Sequence, residues 1–222
     1  RFDLEAGLMK IVWGKGDDLH VVDVLNPTDY ADFVNTAYLE RRKAELLFRL
    51  VGRLGDSSGL ELVYGPRFTP DAIPREGRWT PPDVLTLQAA VAARAFALAA
   101  DLAALYISGG MDPPEAAVLA AAEAERLLSD PLSENVPSSI ADGTFGARWT
   151  LSAGGWDLGL LYAYTFHRIP SVDLNGFLLD PSRKIILTYD RLHVFGAEAA
   201  AVLAGFNLRA EAAYCLTGDT DG

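Results

Sequence analysis

The feature that most constrains this chain is a period-two alternation of apolar and polar residues, which returns in seven separate segments. Such alternation is typical of β-strands that present one apolar face and one polar face. The segments are 2–12, 40–54, 58–65, 143–153, 156–168, 184–203 and 206–216. Gly-rich turns join several of them directly, so the pattern predicts an all-β, antiparallel protein.

Three short links predict how neighbouring segments pair. Gly154-Gly155 is a two-residue hairpin loop of the primed type, and it places Trp149 opposite Leu160. Every pair of the apolar set across this turn is apolar with apolar, so both apolar faces lie on the same side. The links 55–57 and 204–205 give the same agreement without adjustment. The three hairpins therefore predict one sheet with one continuous apolar face.

The connections between strands alternate in length. They are short at 55–57, 154–155 and 204–205, and long at 13–39, 66–142 and 169–183. Outer-membrane β-barrels have this layout, with short periplasmic turns and long extracellular loops. Arms of about ten residues suffice for a tilted strand to cross a bilayer, and aromatic residues lie near both ends of the apolar faces. We predict a partial antiparallel transmembrane β-barrel of about seven strands; the odd count indicates a fragment of a longer barrel.

The alternation assigns side chains to the two faces of the predicted sheet. The residues predicted to face lipid are Phe48, Leu50, Trp149, Leu151, Trp156, Leu158, Leu160, Tyr162, Tyr164, Phe195, Phe206, Leu208 and Tyr214. The residues predicted to line a lumen are Arg41, Lys43, Glu45, Arg49, Arg53, Glu61, Arg148, Asp157, Glu198, Arg209 and Glu211. These charges would set the field of a water-filled lumen, in which Arg41, Lys43, Arg49, Arg148 and Arg209 attract anionic solutes and Glu45, Glu198 and Glu211 are their ion-pair partners. An internal salt-bridge ladder that only braces the strands is the alternative, and the two are compatible.

Residues 83–128 interrupt the alternation. The stretches 83–107 and 113–128 are rich in Ala and Leu and predict two helices. Arg94 and Asp101 lie within the first stretch, and each central charge costs about 2.5–3.5 kcal/mol in a bilayer. We therefore expect a helical insert within an extracellular loop, at the barrel mouth, rather than a membrane-spanning helix.

Composition excludes several other classes. The chain has 30 acidic and 19 basic residues, a net charge of −11, which argues against a nucleic-acid partner. The single cysteine, Cys215, excludes an internal disulfide framework and a Cys-based zinc site. The acidic residues of the first long loop do not have EF-hand spacing, so we expect an ordinary loop and no metal there. They are Asp17, Asp18, Asp23, Asp29 and Asp32. The three histidines are scattered and no nucleophile motif is present, so we expect neither an enzyme nor a cofactor.

Two motifs carry a family resemblance. The segment Val12-Trp13-Gly14-Lys15-Gly16-Asp17, followed by Asp23-Val24-Leu25-Asn26-Pro27-Thr28-Asp29-Tyr30, resembles a family of Gram-negative outer-membrane barrel proteins described as a domain of unknown function. The strand around Arg209-Ala210-Glu211 is similar to that family's R-x-E strand. The resemblance covers 2–80 and 143–222, and the helical insert departs from it. It implies an outer-membrane location in contact with lipid and a role in transport, and no catalytic residues.

Together, the pattern and the resemblance predict a porin-like protein of the Gram-negative outer membrane. We expect it to pass small solutes, anions among them, through a polar lumen. Two alternatives stay open: a non-conducting barrel that serves as a structural or binding module, and a soluble ligand-binding β protein. The first predicts an inert barrel in liposomes, and the second predicts solubility without detergent.

Overall fold

The computed structural model describes residues 2–16, 20–32, 34–173 and 184–218. The chain divides into two compact units. The first unit is built from 1–72, 136–170 and 189–222, and the second from 73–135 and 171–188.

Within the described residues the chain forms ten strands and three α-helices. The strands are β1 (Phe2–Met9), β2 (Glu45–Arg53), β3 (Ser58–Gly65), β4 (Leu132–Glu134), β5 (Thr144–Ala153), β6 (Trp156–Phe166), β7 (Ser171–Asp173), β8 (Ile185–Thr188), β9 (Arg191–Leu203) and β10 (Phe206–Thr217). The helices are α1 (Tyr38–Arg41), α2 (Pro82–Ser108) and α3 (Pro113–Leu128), with a 3₁₀ turn at Ile140–Asp142.

The first unit contains a seven-stranded sheet in the order β1-β2-β3-β5-β6-β9-β10. Each neighbouring pair is antiparallel, so the predicted antiparallel sheet is confirmed. The sheet is open, since β1 and β10 are its edges in the described part of the chain.

The registers of all three predicted hairpins are confirmed. Trp149 lies opposite Leu160 across the Gly154-Gly155 turn. Both glycines have positive φ, 60° and 82°, as a primed two-residue turn requires. The pairs Phe48–Tyr64 and Phe195–Tyr214 match the predicted register as well. Turn chemistry and the pairing of apolar side chains were therefore sufficient to fix these strands.

The predicted segment 40–54 is wrong at its start, because the strand begins only at Glu45. Residues before it bond to the first long loop instead of the sheet. The N–H of Lys43 donates to the carbonyl of Pro27 over 2.8 Å, and the N–H of Asp29 donates to the carbonyl of Arg41, also over 2.8 Å. Arg41 and Lys43 consequently precede the strand, and neither belongs to the row of charges on its face.

The predicted segment 184–203 is not one strand. It divides into β8 and β9, with Tyr189 and Asp190 between them. β8 belongs to the second unit, where it lies between β4 and β7 in a three-stranded sheet. There Ile185 and Leu187 are buried in an apolar cluster, and the partly buried side chains that pack against them are Leu87, Val91, Leu128 and Leu132.

A loop packs against one face of the seven-stranded sheet. We call the face that bears Arg49, Glu61, Arg148 and Glu198 the ionic face, and the opposite one the apolar face. Loop residues 11–16 and 20–28, here named the covering segment, pack on the ionic face. The cluster they form with the sheet contains Ile11, Trp13, Val22, Leu25, Leu47, Val63, Leu161, Ala163 and Val194. Segment 2–12 was predicted as one strand, yet β1 ends at Met9, since the N–H of Ile11 donates to the Asn26 side chain over 2.8 Å.

The second unit contains the two predicted helices, which pack together as a hairpin. Pro82 and Pro113 stand in their first turns, where a missing N–H costs nothing. Ala116, Ala120 and Ala124 recur every four residues on α3 and are buried, which allows the helices to approach closely. By length and composition α2 is long and apolar enough to cross a membrane.

Candidate functional site on the ionic face

Five charged side chains form a continuous chain of ion pairs across the ionic face. Arg49 donates to Glu61 over 2.6 Å and to Glu5 over 3.1 Å. The guanidinium of Arg148 lies 3.7 Å from the other carboxylate oxygen of Glu61. It also donates through Nε to Glu198 over 3.0 Å. We call this chain the ionic band; it links strands β1, β2, β3, β5 and β9.

The ionic band is exposed at its β1 end and buried at its β9 end. The side-chain exposure is 52% for Glu5, 33% for Arg49, 10% for Glu61, 18% for Arg148 and zero for Glu198. A buried charge is tolerated only where a partner offsets the loss of hydration. Oε1 of Glu198 has that partner in Arg148, whereas Oε2 is buried without a hydrogen-bond partner among the described residues. Glu198 is therefore the most constrained member of the band.

Gly159 makes the far end of the band possible. Glu198 on β9 reaches Arg148 on β5 by passing over β6, at the point where Gly159 is paired with Glu198. A Cβ atom at Gly159 would lie 2.5 Å from Oε1 of Glu198. The sequence reasoning did not single out this glycine, although a lone glycine in the interior of a strand is a sign of close approach.

Trp13 joins the covering segment to the ionic band. Its Nε1–H donates to Oε2 of Glu61 over 3.2 Å, and its side chain is fully buried. The ring lies over Gly146, where a Cβ atom would be 2.5 Å from Cη2 of Trp13. The tryptophan entered the sequence argument only as part of a motif, because its partner is 48 residues away.

Arg42 holds the backbone of the covering segment. It donates to the carbonyl of Asn26 over 2.6 Å, to the hydroxyl of Thr28 over 2.7 Å, and through Nε to Asp23 over 3.0 Å. Asp23 also accepts the hydroxyl of Tyr38 over 2.7 Å. Burial and the neighbouring Asp23 carboxylate raise the pKa of Tyr38, so its phenol stays a neutral donor.

Arg168 provides a second buried anchor at the same end. It donates to the carbonyl of Leu25 over 2.6 Å and to Glu45 over 3.2 Å. Burial lowers the pKa of Arg168, while the charges of Glu45 and Asp71 act in the opposite direction. Glu45 was predicted among the lumen charges and as a partner for the strand's basic residues, but its partner is this loop arginine.

Glu211 on the edge strand β10 also binds the covering segment. Its carboxylate accepts the N–H of Val21 over 3.0 Å and the N–H of Gly16. Sequence reasoning paired Glu211 with an arginine, whereas the structure gives it two backbone donors. The covering segment is thus tied to the sheet at Glu211, at Glu61 and at the two buried arginines.

The structure brings only part of the predicted lumen set together. Arg49, Glu61, Arg148 and Glu198 share the ionic band, with Glu45 and Glu211 beside the covering segment. Lys43 instead pairs with Asp29 over 3.0 Å in the loop. The remaining members lie elsewhere: Arg41 in α1, Arg53 and Arg209 at exposed positions, and Asp157 bonded to the Ser152 hydroxyl beside a short turn.

The residues predicted to face lipid all lie on the apolar face of the sheet. Their strand pairing is in register from β2 to β10. Several stay widely exposed, with 56% for Leu160, 47% for Phe195 and 64% for Tyr214. Trp149 is half-buried and donates its Nε1–H to the Ser58 hydroxyl over 2.8 Å.

The acidic loop shows ion pairs and hydrogen bonds where it is described. Asp23 pairs with Arg42, and Asp32 accepts hydrogen bonds from Asn35. Asp17 and Asp18 lie outside the described residues. Among the residues the structure describes, no group of three His, Cys, Asp or Glu is placed to hold a metal ion.

Comparison with known proteins gives one match. The model of the family described as "Protein of unknown function (DUF1302)" matches residues 1–216. No curated protein and no solved structure matches the chain.

Proposed function

The chain belongs to the DUF1302 family, and we propose that it forms part of a porin-like β-barrel in the outer membrane of a Gram-negative bacterium. In this proposal the apolar face contacts lipid and the ionic face lines a polar lumen. Small polar solutes pass along that lumen.

The observation that carries the proposal is the contrast between the two faces. Large apolar side chains stay exposed on one face of a seven-stranded sheet, and ion pairs are buried on the other. A sheet of a soluble sandwich would be expected to bury its apolar face against protein. Exposed apolar surface on this scale is typical of contact with a membrane or a partner.

Strand length supports the same proposal. β6 has 11 residues and β9 has 13. At about 3.3 Å per residue these strands are about 36–43 Å long. Tilted by about 45°, they cover about 25–30 Å along the membrane normal, which matches the apolar band of outer-membrane barrels.

The charges of the ionic band are consistent with a lumen that passes polar solutes in general and selects anions only weakly. Three carboxylates, on Glu5, Glu61 and Glu198, outnumber the guanidiniums of Arg49 and Arg148 by one. Because each arginine is already paired, the field it projects into the lumen is reduced. We expect anion preference to be weak and to depend on these two residues.

Liposome swelling with the purified full-length protein tests the proposal. Passage of small sugars, together with a requirement for detergent during purification, is the expected result. Selectivity in planar bilayers then tests the arginines: Arg49→Gln with Arg148→Gln should shift reversal potentials toward cations. Arg126→Gln, an exposed arginine of α3 outside the sheet, is the matched control. A protein that stays soluble without detergent would contradict the membrane assignment.

A non-conducting barrel is the second candidate, and one observation favours it. The covering segment occupies part of the ionic face with four buried apolar side chains, Ile11, Trp13, Val22 and Leu25. If the liposomes do not swell although the protein is folded and inserted, this candidate replaces the channel.

A further inference from the structure

The sheet has a shaped seat for the covering segment. Gly146 lies beneath the ring of Trp13, and Gly196 lies beneath Val22. A Cβ atom at Gly146 would be 2.5 Å from Trp13, and one at Gly196 would be 2.8 Å from Cγ1 of Val22. Neither position carries a side chain, which leaves space for the loop residues close to the strand; at Gly196 the side chain of Leu161 on β6 shares that space with Val22. Such close approach is a common reason for glycine inside a strand.

Buried polar anchors hold one end of the segment. Arg42 and Arg168 bond to the backbone carbonyls of Asn26 and Leu25, and both guanidiniums are almost fully buried. The amide of Asn26 adds donations to the carbonyls of Met9 and Lys43 over 2.9 and 3.0 Å. These contacts fix the segment where β1 ends and where β2 is about to begin.

The other contacts of the covering segment are with charged side chains of the proposed lumen. Trp13 donates to Glu61, the central carboxylate of the ionic band, and Glu211 accepts backbone N–H groups of the segment. The segment therefore contacts the band itself: the buried Trp13 fastens it beside Glu61, and solutes moving along the ionic face would meet the outer surface of the segment there.

From the seat, the anchors and the contact with Glu61 we propose that the covering segment is a resident plug. It limits the size of solutes that pass along the ionic face, and the buried Trp13 is the residue that holds it there. This inference rests on the proposed function, because a plug acts only on a lumen that conducts.

The plug is tested by swelling of liposomes that contain the full-length protein, with a pentose and a trisaccharide as probes. Trp13→Ala should raise the trisaccharide rate at least about threefold and change the pentose rate little, since it removes the buried side chain that holds the segment against the ionic face. Trp156→Ala, at the exposed Gly154-Gly155 turn, is the matched control and should change neither rate. Gly146→Val is a second variant, because its side chain would push the Trp13 ring out of its seat.

The outcomes separate the two proposals. If the wild type passes the pentose and both variants keep its size limit, the plug is wrong and the channel stands. If neither wild type nor variants pass any probe, the channel is wrong and the plug with it. If the wild type passes neither probe and the two variants do pass them, the channel and the plug are both supported. If both variants lose the folded state, as judged by heat-modifiable gel mobility, the segment is part of the core and the plug is refuted.

Discussion

The apolar and ionic faces of the seven-stranded sheet alternate along the same strands, yet they are held in different ways. On the apolar face, neighbouring strands place apolar side chains side by side, and many of these stay exposed. On the ionic face, contacts run between distant parts of the chain: Arg148 to Glu198, Trp13 to Glu61, Arg168 to Leu25. The first face follows from local pairing, and the second depends on the tertiary fold. Mutations on the two faces should therefore differ in cost and in sensitivity to the surroundings.

The largest effect is expected at the buried anchors of the covering segment. Arg168→Ala leaves Glu45 buried without its cation, and we expect the free energy of unfolding to fall by about 3–5 kcal/mol. Arg53→Ala, an exposed arginine on β2, should change it by less than about 0.5 kcal/mol. Urea titration in a fixed detergent or lipid measures both. Equal costs would show that burial on the ionic face is not what holds the segment.

Next is a charge placed on the apolar face. Leu160→Arg near the middle of β6 should cost about 2–4 kcal/mol in lipid, whereas Leu203→Arg beside a short turn should cost about 0–1 kcal/mol. The measurement is the unfolding free energy in vesicles. A cost that does not depend on depth would refute the proposed contact between this face and lipid.

Two tryptophans compare the faces directly. Trp13→Phe removes a hydrogen bond to the carboxylate of Glu61, and we expect a loss of about 1.5–3 kcal/mol of unfolding free energy. Trp149→Phe removes a hydrogen bond to the neutral hydroxyl of Ser58 on a half-buried site, with an expected loss of about 0.5–1.5 kcal/mol. A larger loss for Trp149→Phe than for Trp13→Phe in urea titrations would contradict the conclusion that the buried charges lie on the ionic face.

The smallest effect concerns pH at the base of the covering segment. Burial raises the pKa of Asp71, which accepts the N–H of Thr28 over 2.6 Å. A carboxyl with a raised pKa in the fold contributes stability below its usual pKa, and this is lost as pH rises through the folded value. Acidification should therefore stabilise the wild type relative to Asp71→Asn, whose amide oxygen can still accept the Thr28 N–H. Unfolding free energies of the pair at stepwise lower pH measure this; a constant difference would contradict it.

How much of the structure could be predicted from the sequence depended on how far apart in the chain the contacting residues lie. The hairpins at 55–57, 154–155 and 204–205 were predictable because their registers follow from two or three turn residues and adjacent apolar side chains. The start of β2 was not predictable from alternation, which continues through Arg41 and Lys43 although their backbones bond to the loop.

The sequence predicted which charged residues lie on the ionic face, but not which of them form ion pairs with one another. Alternation placed Arg49, Arg148 and Glu198 on one face, but no local signal pairs residues 50 positions apart. The roles of Arg42 and Arg168 were not predicted, since their partners are loop carbonyls and carboxylates that lie far away in the sequence. The division of 184–203 was missed for a related reason: Ile185 and Leu187 suit either sheet, and the cluster that they join is formed by distant helices.

The missing side chain at Gly159 has a consequence for the evolution of the family. The contact between Arg148 and Glu198 crosses β6 only because nothing projects there. Even an alanine would meet the carboxylate, so the two positions are not free to vary independently. In family members whose counterpart of Gly159 carries a side chain, we expect a shorter or uncharged residue as the counterpart of Glu198. Covariation between these two alignment columns would record this steric coupling.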